Sequence, residues 1–203
     1  MRPATDPAVP VTGRASAPAR RGRFGEHSAL GMGIFIFTEI MLFAGFFSSF
    51  VIVRKAVPEG AWPPPDQPRL PFERTAFNTA ALLLSGVALY VAGRRFRKHG
   101  GAAATPWMAA AMVLGSLFVA LQGGEWVGLL KQGLTLTSSQ LGSFFYVIIG
   151  AHALHAVAAI LALGLAWLRM SRNQLTESRL IAVEMFWYFV VLVWPVLYWR
   201  VYL

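Results

Sequence analysis

The sequence predicts an all-α integral membrane protein of five transmembrane helices, with its N-terminus cytoplasmic and its C-terminus periplasmic. Three observations carry that reading. Hydrophobic residues fill 56% of the 203 positions and charged residues only 13%, where a soluble domain carries roughly 25% charged. Five apolar runs are each long enough to cross a hydrocarbon core of about 30 Å as a helix. Lys and Arg fall unevenly on the two faces that those runs define.

Residues 1–28 form a basic tail. The stretch "MRPATDPAVPVTGRASAPARRGRFGEH" is rich in Pro, Ala and Arg, and it lacks an apolar run that could serve as a signal-peptide core. Its prolines work against the amphipathic helix of an organelle transit peptide, so a disordered cytoplasmic lead-in is expected. The membrane domain, 29–203, carries spans at about 29–54, 73–94, 105–130, 139–168 and 180–201. The Pro-rich "RKAVPEGAWPPPDQPRLPFER" separates the first two, and the basic "GRRFRKHGG" the next two. The polar "KQGLTLTSSQ" and the charged "RMSRNQLTESR" follow in turn.

The tail and the second and fourth loops hold twelve of the 18 Lys and Arg, and the other face holds six. The excess sets the direction. The same distribution accounts for the net charge of +9. No nucleic-acid partner is expected, whereas acidic lipid headgroups suit such clusters. The chain has no Cys, which excludes disulfides and thiolate-ligated metals. The spans do not divide into matching halves, which weighs against an inverted-repeat transporter.

Glu39 is the conspicuous residue. It lies in "GIFIFTEIMLFAGFF", near the midplane of the first span at about 1.5 Å per residue. A carboxyl there is costly unless it is neutral, paired or near water. It reads as a structural hydrogen-bonded carboxyl, as a proton-handling group, or as a ligand site, with the structural reading preferred. His152 and His155 reach similar depth on the fourth span, three residues apart and on one face. With Glu125 or Glu39 they could suggest a metal site. Di-iron bundles use repeated Glu-x-x-His pairs, however, and a bis-His haem needs facing helices; His27 and His99 fall in tail and loop. Interhelical hydrogen bonding is the stronger reading, with no metal site and no catalytic residue assigned. Gln122 precedes Glu125 by about one turn of the third span. Glu184 is placed near headgroup level. Trp62, Trp107, Trp126, Trp194, Trp199 and Tyr202 fit an interfacial belt, and Pro195 is expected to kink the fifth helix or free a carbonyl.

Five stretches, taken in order, resemble subunit III of the haem-copper terminal oxidases of the cytochrome c oxidase type. They are "FIFTEIMLFAGFF", "AWPPP", "FNTAALLLSG", "LQGGEW" and "GSFFYVIIGAHALHA". The match runs from about Gly31 to the C-terminus and resembles the short five-helix form of the family. Two departures stand in "FWYFVVLVWPVLYW". Tyr188 occupies a position where the family usually carries His, and Val191 one where it usually carries Asp.

The resemblance implies an accessory subunit that holds no haem or copper. Those groups are expected in partner subunits. It implies packing on oxidase subunit I, assembly with subunit II and a small subunit IV, and cytochrome c or another donor acting through the complex. It also implies bound phospholipid, support of proton uptake, and a bacterial inner membrane location. Glu39 matches the family's carbodiimide-reactive buried glutamate. His152, His155, Gln122, Glu125 and Asn78 are candidates for a shared polar network. Alternatives are the same subunit in a quinol oxidase or a nitric-oxide-reductase-associated homologue and, from another class, a proton-coupled transporter using Glu39, His152 and His155.

Overall fold

The computed structural model describes residues 23–58 and 72–202. The Trp-Pro-Pro loop and most of the basic tail lie outside the described residues. The chain folds into α1 (Arg23–Ala56), α2 (Phe72–His99), α3 (Gly101–Lys131), α4 (Gln140–Ser171) and α5 (Glu177–Leu197). Among the described residues, five helices are long and apolar enough to cross a membrane.

The helices overrun most of the expected spans. α1 begins at Arg23, inside the segment assigned to the tail, and α2 continues through the basic stretch to His99. An apolar run measures the hydrocarbon crossing, whereas a helix persists wherever its backbone stays bonded and its side chains find partners. The arginines at the end of α2 do find them: Arg95 lies over the Trp107 ring at 5.2 Å, and Arg97 Nη1 reaches Glu184 Oε2 at 3.3 Å. A single residue, Gly100, then separates α2 from α3. Its φ of +79° suits glycine, and its N–H donates to the Phe96 carbonyl at 3.0 Å. Asn173, with φ +54°, turns the chain between α4 and α5; asparagine tolerates that region. α4 starts at an extended Ser139 whose Oγ accepts from the Gly142 N–H. At the other end, α5 stops at Leu197 and widens into a π-helical turn, Tyr198–Tyr202. Pro195, which lacks an N–H, sits just before that change.

α2 and α3 share the most extensive interface, and α5 packs against α1, α2 and α4. Close approach depends on small residues. A Cβ on Gly115 of α3 would collide with the Trp187 indole of α5, and one on Gly86 of α2 would press on Val191. Trp187 and Trp194 are both fully buried. Trp194 therefore departs from the expected interfacial belt: its Nε1 donates to Thr79 Oγ1 at 2.9 Å, and its ring meets Phe118 edge-on at 4.8 Å. α1 is peripheral, with only 11% of its most apolar window buried within the chain.

Gly115→Val is expected to lower stability by about 1–3 kcal/mol through overpacking against Trp187. Gly124→Ala, where a Cβ meets nothing within 4 Å, should leave the melting temperature unchanged. Thermal unfolding of the detergent-extracted protein compares the two.

Candidate functional site

The polar residues anticipated as one network form two groups, with His152 between them. The first group joins α1 to α4. Glu39 Oε2 lies 3.0 Å from His155 Nε2, both side chains largely buried. The carboxyl oxygen is at ion-pair distance yet out of line for a hydrogen bond from the ring. His155 Nδ1 lies 2.7 Å from the Ala151 carbonyl. A carbonyl only accepts, so Nδ1 carries a proton. At this distance the two groups can stand as two uncharged groups or as opposite charges, and in both cases the pair is neutral in sum. Neutrality is what makes such a pair tolerable in hydrocarbon. Phe43, Phe189, Phe186 and Phe35 surround the His155 ring at centroid distances of 5.7–6.5 Å.

The second group joins α2 to α3. Glu125 Oε2 accepts from Thr75 Oγ1 at 2.9 Å and from Gln122 Nε2 at 3.2 Å. Its Oε1 accepts from Asn78 Nδ2 at 3.1 Å. Thr79 Oγ1 donates to the Thr75 carbonyl at 2.7 Å and receives the Trp194 indole. Glu125 thus has donors for both oxygens on two helices and is tied indirectly to a third.

His152 is 2% exposed, and its Nε2 has no hydrogen-bond partner. Its ring lies beside that of Trp194 at 5.1 Å and meets Phe43 at 6.4 Å. Three residues of spacing put His152 and His155 on one side of α4, yet they face different neighbours.

Sequence reasoning placed Glu184 near headgroup level and assigned it no partner; it is buried against Arg97, and a Cβ on Gly93 would fall on its carboxyl. The glycine was the available signal, since it opens room for a carboxyl on the facing helix. The buried bond from Trp187 Nε1 to Ser85 Oγ, 3.2 Å, was also missed. Among the described residues, no group of three His, Cys, Asp or Glu stands close enough to hold a metal ion.

Two apolar recesses flank these groups. One, of about 540 Å³, runs between α1 and α5 along Ile36, Ile40, Phe43, Phe189, Leu192 and Val196. The other, of about 230 Å³, lies among α3, α4 and α5 and is lined by Phe118, Gln122, Trp126, His152, Ala153 and Trp194, among others.

The family pattern described as "Cytochrome c oxidase subunit III" matches residues 23–203. A "Probable cytochrome c oxidase subunit 3" of Nocardia farcinica is 29% identical over 177 residues, covering 86% of each chain. A "Cytochrome c oxidase subunit 3" of Synechocystis sp. is 32% identical over 178 residues, covering 85% of this chain and 74% of its own. The protein of the same name from Petromyzon marinus is 33% identical over 198 residues, covering 90% and 75% respectively.

Glu125→Leu would leave Thr75 and Asn78 without their acceptor, and should cost about 2 kcal/mol against SDS-induced unfolding. Glu125→Gln keeps an acceptor oxygen and should lose clearly less. An equal loss in both would assign the effect to charge rather than to hydrogen bonding.

Proposed function

This chain belongs to the cytochrome c oxidase subunit III family, and on that premise we propose that it is the accessory, non-redox third subunit of a proton-pumping haem-copper oxidase in the aerobic respiratory chain. It is multi-pass in a bacterial inner membrane, with its N-terminus cytoplasmic. It packs directly on subunit I and assembles with subunit II and a small subunit IV. Cytochrome c delivers electrons to the complex, and haem and copper belong to the partner chains. The observation that carries this reading is the family match across the whole five-helix domain. The chemistry of the residues agrees with it. His152 and His155 share α4, and His155 pairs with Glu39 within the chain.

The α1–α5 groove suits phospholipid acyl chains. Its wall is apolar except for Tyr188, and Phe43 and Phe189 line it on one side while touching the His155 ring on the other. Lipid in the groove would complete the enclosure of the Glu39–His155 pair. Glu39 is accordingly a structural carboxyl first. It can also hold and pass a proton, because its pair with His155 binds one between two bases, and in that way it supports proton uptake by the complex.

Gentle affinity extraction of the chain from native membranes tests the assignment. A reduced-minus-oxidised spectrum and peptide mass spectrometry are taken on the same sample. Haem a bands, a large His-rich subunit and a copper-binding subunit are expected. Haem b bands without the copper subunit would instead indicate a quinol or nitric oxide branch. A colourless single chain, under extraction that preserves known complexes, would favour a transporter.

Glu39→Gln is expected to leave most oxidase activity and the spectra intact while abolishing carbodiimide labelling of this chain. Loss of haem from the complex in that variant would contradict an accessory role. Harsh detergent should remove lipid and this subunit together, after which turnover decays faster; equal turnover lifetimes with and without the chain would count against the durability role.

A further inference from the structure

The recess among α3, α4 and α5 is adjacent to the Glu39–His155 pair but does not include it. Most of its wall is apolar: Phe118, Ile149, Ala153, Ala156 and Trp194 contribute. An apolar cavity of this kind stays dry or takes up hydrocarbon. Two of its lining residues, however, carry buried polar atoms with no hydrogen-bond partner. They are His152 Nε2 on α4 and Trp126 Nε1 on α3. Gln122, a third lining residue, donates to Glu125 Oε2 at 3.2 Å.

A lipid tail entering this space would leave both orphaned atoms unsatisfied in hydrocarbon, which is strongly unfavourable. Water satisfies them. An indole N–H needs an acceptor, and an imidazole nitrogen can take either role. A water molecule offers both functions, so one ligand class serves both atoms. Space is sufficient: the cavity, about 230 Å³, is far larger than the roughly 10–15 Å³ that a single ordered water requires.

We infer that this cavity is an internal water site, in which ordered water hydrogen-bonded to His152 and Trp126 links His152 on α4 to the Gln122–Glu125 cluster on α3. The water gives His152, which has no other polar neighbour for Nε2, a hydrogen-bonded connection to another helix. It also explains why a histidine stands there: a leucine would fill the space more cheaply if the cavity were dry. The inference concerns this chain's own interior and stands whichever oxidase branch the complex proves to be.

Two tryptophans of α5 provide the test. Trp194 and Trp187 are equally inaccessible at 0% exposure, and each donates its indole N–H to a hydroxyl of α2. Trp194 lines the cavity, whereas Trp187 is not among its lining residues. Synchrotron radiolysis of the intact complex, purified through this chain, generates hydroxyl radicals from water in place, and these add to neighbouring aromatic rings. Peptide mass spectrometry then reads oxidation at each site. Trp194 and Phe118 should be oxidised several-fold faster than Trp187. His152→Leu should bring Trp194 down to the Trp187 rate, whereas His152→Gln, which keeps a polar anchor, should not. Oxidation of Trp194 as slow as that of Trp187 in the wild type would mean a dry or lipid-filled cavity and would overturn the inference. So would a rate at Trp194 that His152→Leu does not change, because the label would then come from bulk water. If His152→Leu fails to assemble, the wild-type comparison of the two tryptophans decides alone.

Discussion

The Glu125 carboxylate accepts hydrogen bonds from Thr75, Asn78 and Gln122, and the α2–α3 pair is organised around it. Lipid offers no hydrogen-bond donor, so a carboxyl in a membrane helix depends on donors from its own or neighbouring helices. The chain of contacts continues outward, from Thr75 to Thr79 and from Thr79 to Trp194, so that α5 is fixed against α2 by the same cluster. Two further ties hold α5 to α2 along its length, Ser85 with Trp187 and Arg97 with Glu184. Interhelical hydrogen bonds in membranes average only about 0.6 kcal/mol each. That magnitude assigns them register and rotation rather than cohesion. Cohesion comes from the close packing that Gly86, Gly93 and Gly115 permit.

The attachment of α1 follows a different logic. It leans on α5 and more lightly on α4, and the groove beside it is apolar except for Tyr188. Its carboxyl Glu39 meets His155, whose Nδ1 faces the Ala151 carbonyl. That contact and the four phenylalanine rings around the imidazole fix the rotation at which α1 docks.

Depth was legible in the sequence and rotation was not. Counting 1.5 Å per residue placed Glu39, His152 and His155 at similar height, and the first and last of these do meet. The same count said nothing of which helix faces which, so a single network was anticipated where Glu39–His155 and Glu125–Asn78 stand apart. Trp194 shows the same limit. Its position near a span end suggested headgroups, but the side on which it lies turns it toward Thr79. Helix ends were misjudged because apolar runs stop at the first arginine, whereas α2 continues through Arg94, Arg95 and Arg97 to His99. The partner of Glu184 was not legible for a related reason: nothing in the sequence says that Gly93 and Arg97 of α2 face it.

The Glu39–His155 contact also has a history in time. Glu39 is on α1 and His155 on α4, more than a hundred residues later in the chain. At about 5–20 residues per second of synthesis, the carboxyl waits on the order of ten seconds for the imidazole. During that interval Glu39 stands without this partner on a helix apolar enough to cross a membrane. The helix must keep Glu39 protonated, lie near water, or shelter against other protein until α4 arrives. The Glu39–His155 contact can therefore form only once α4 has been made, and α1 completes its docking against α4 and α5 after that point.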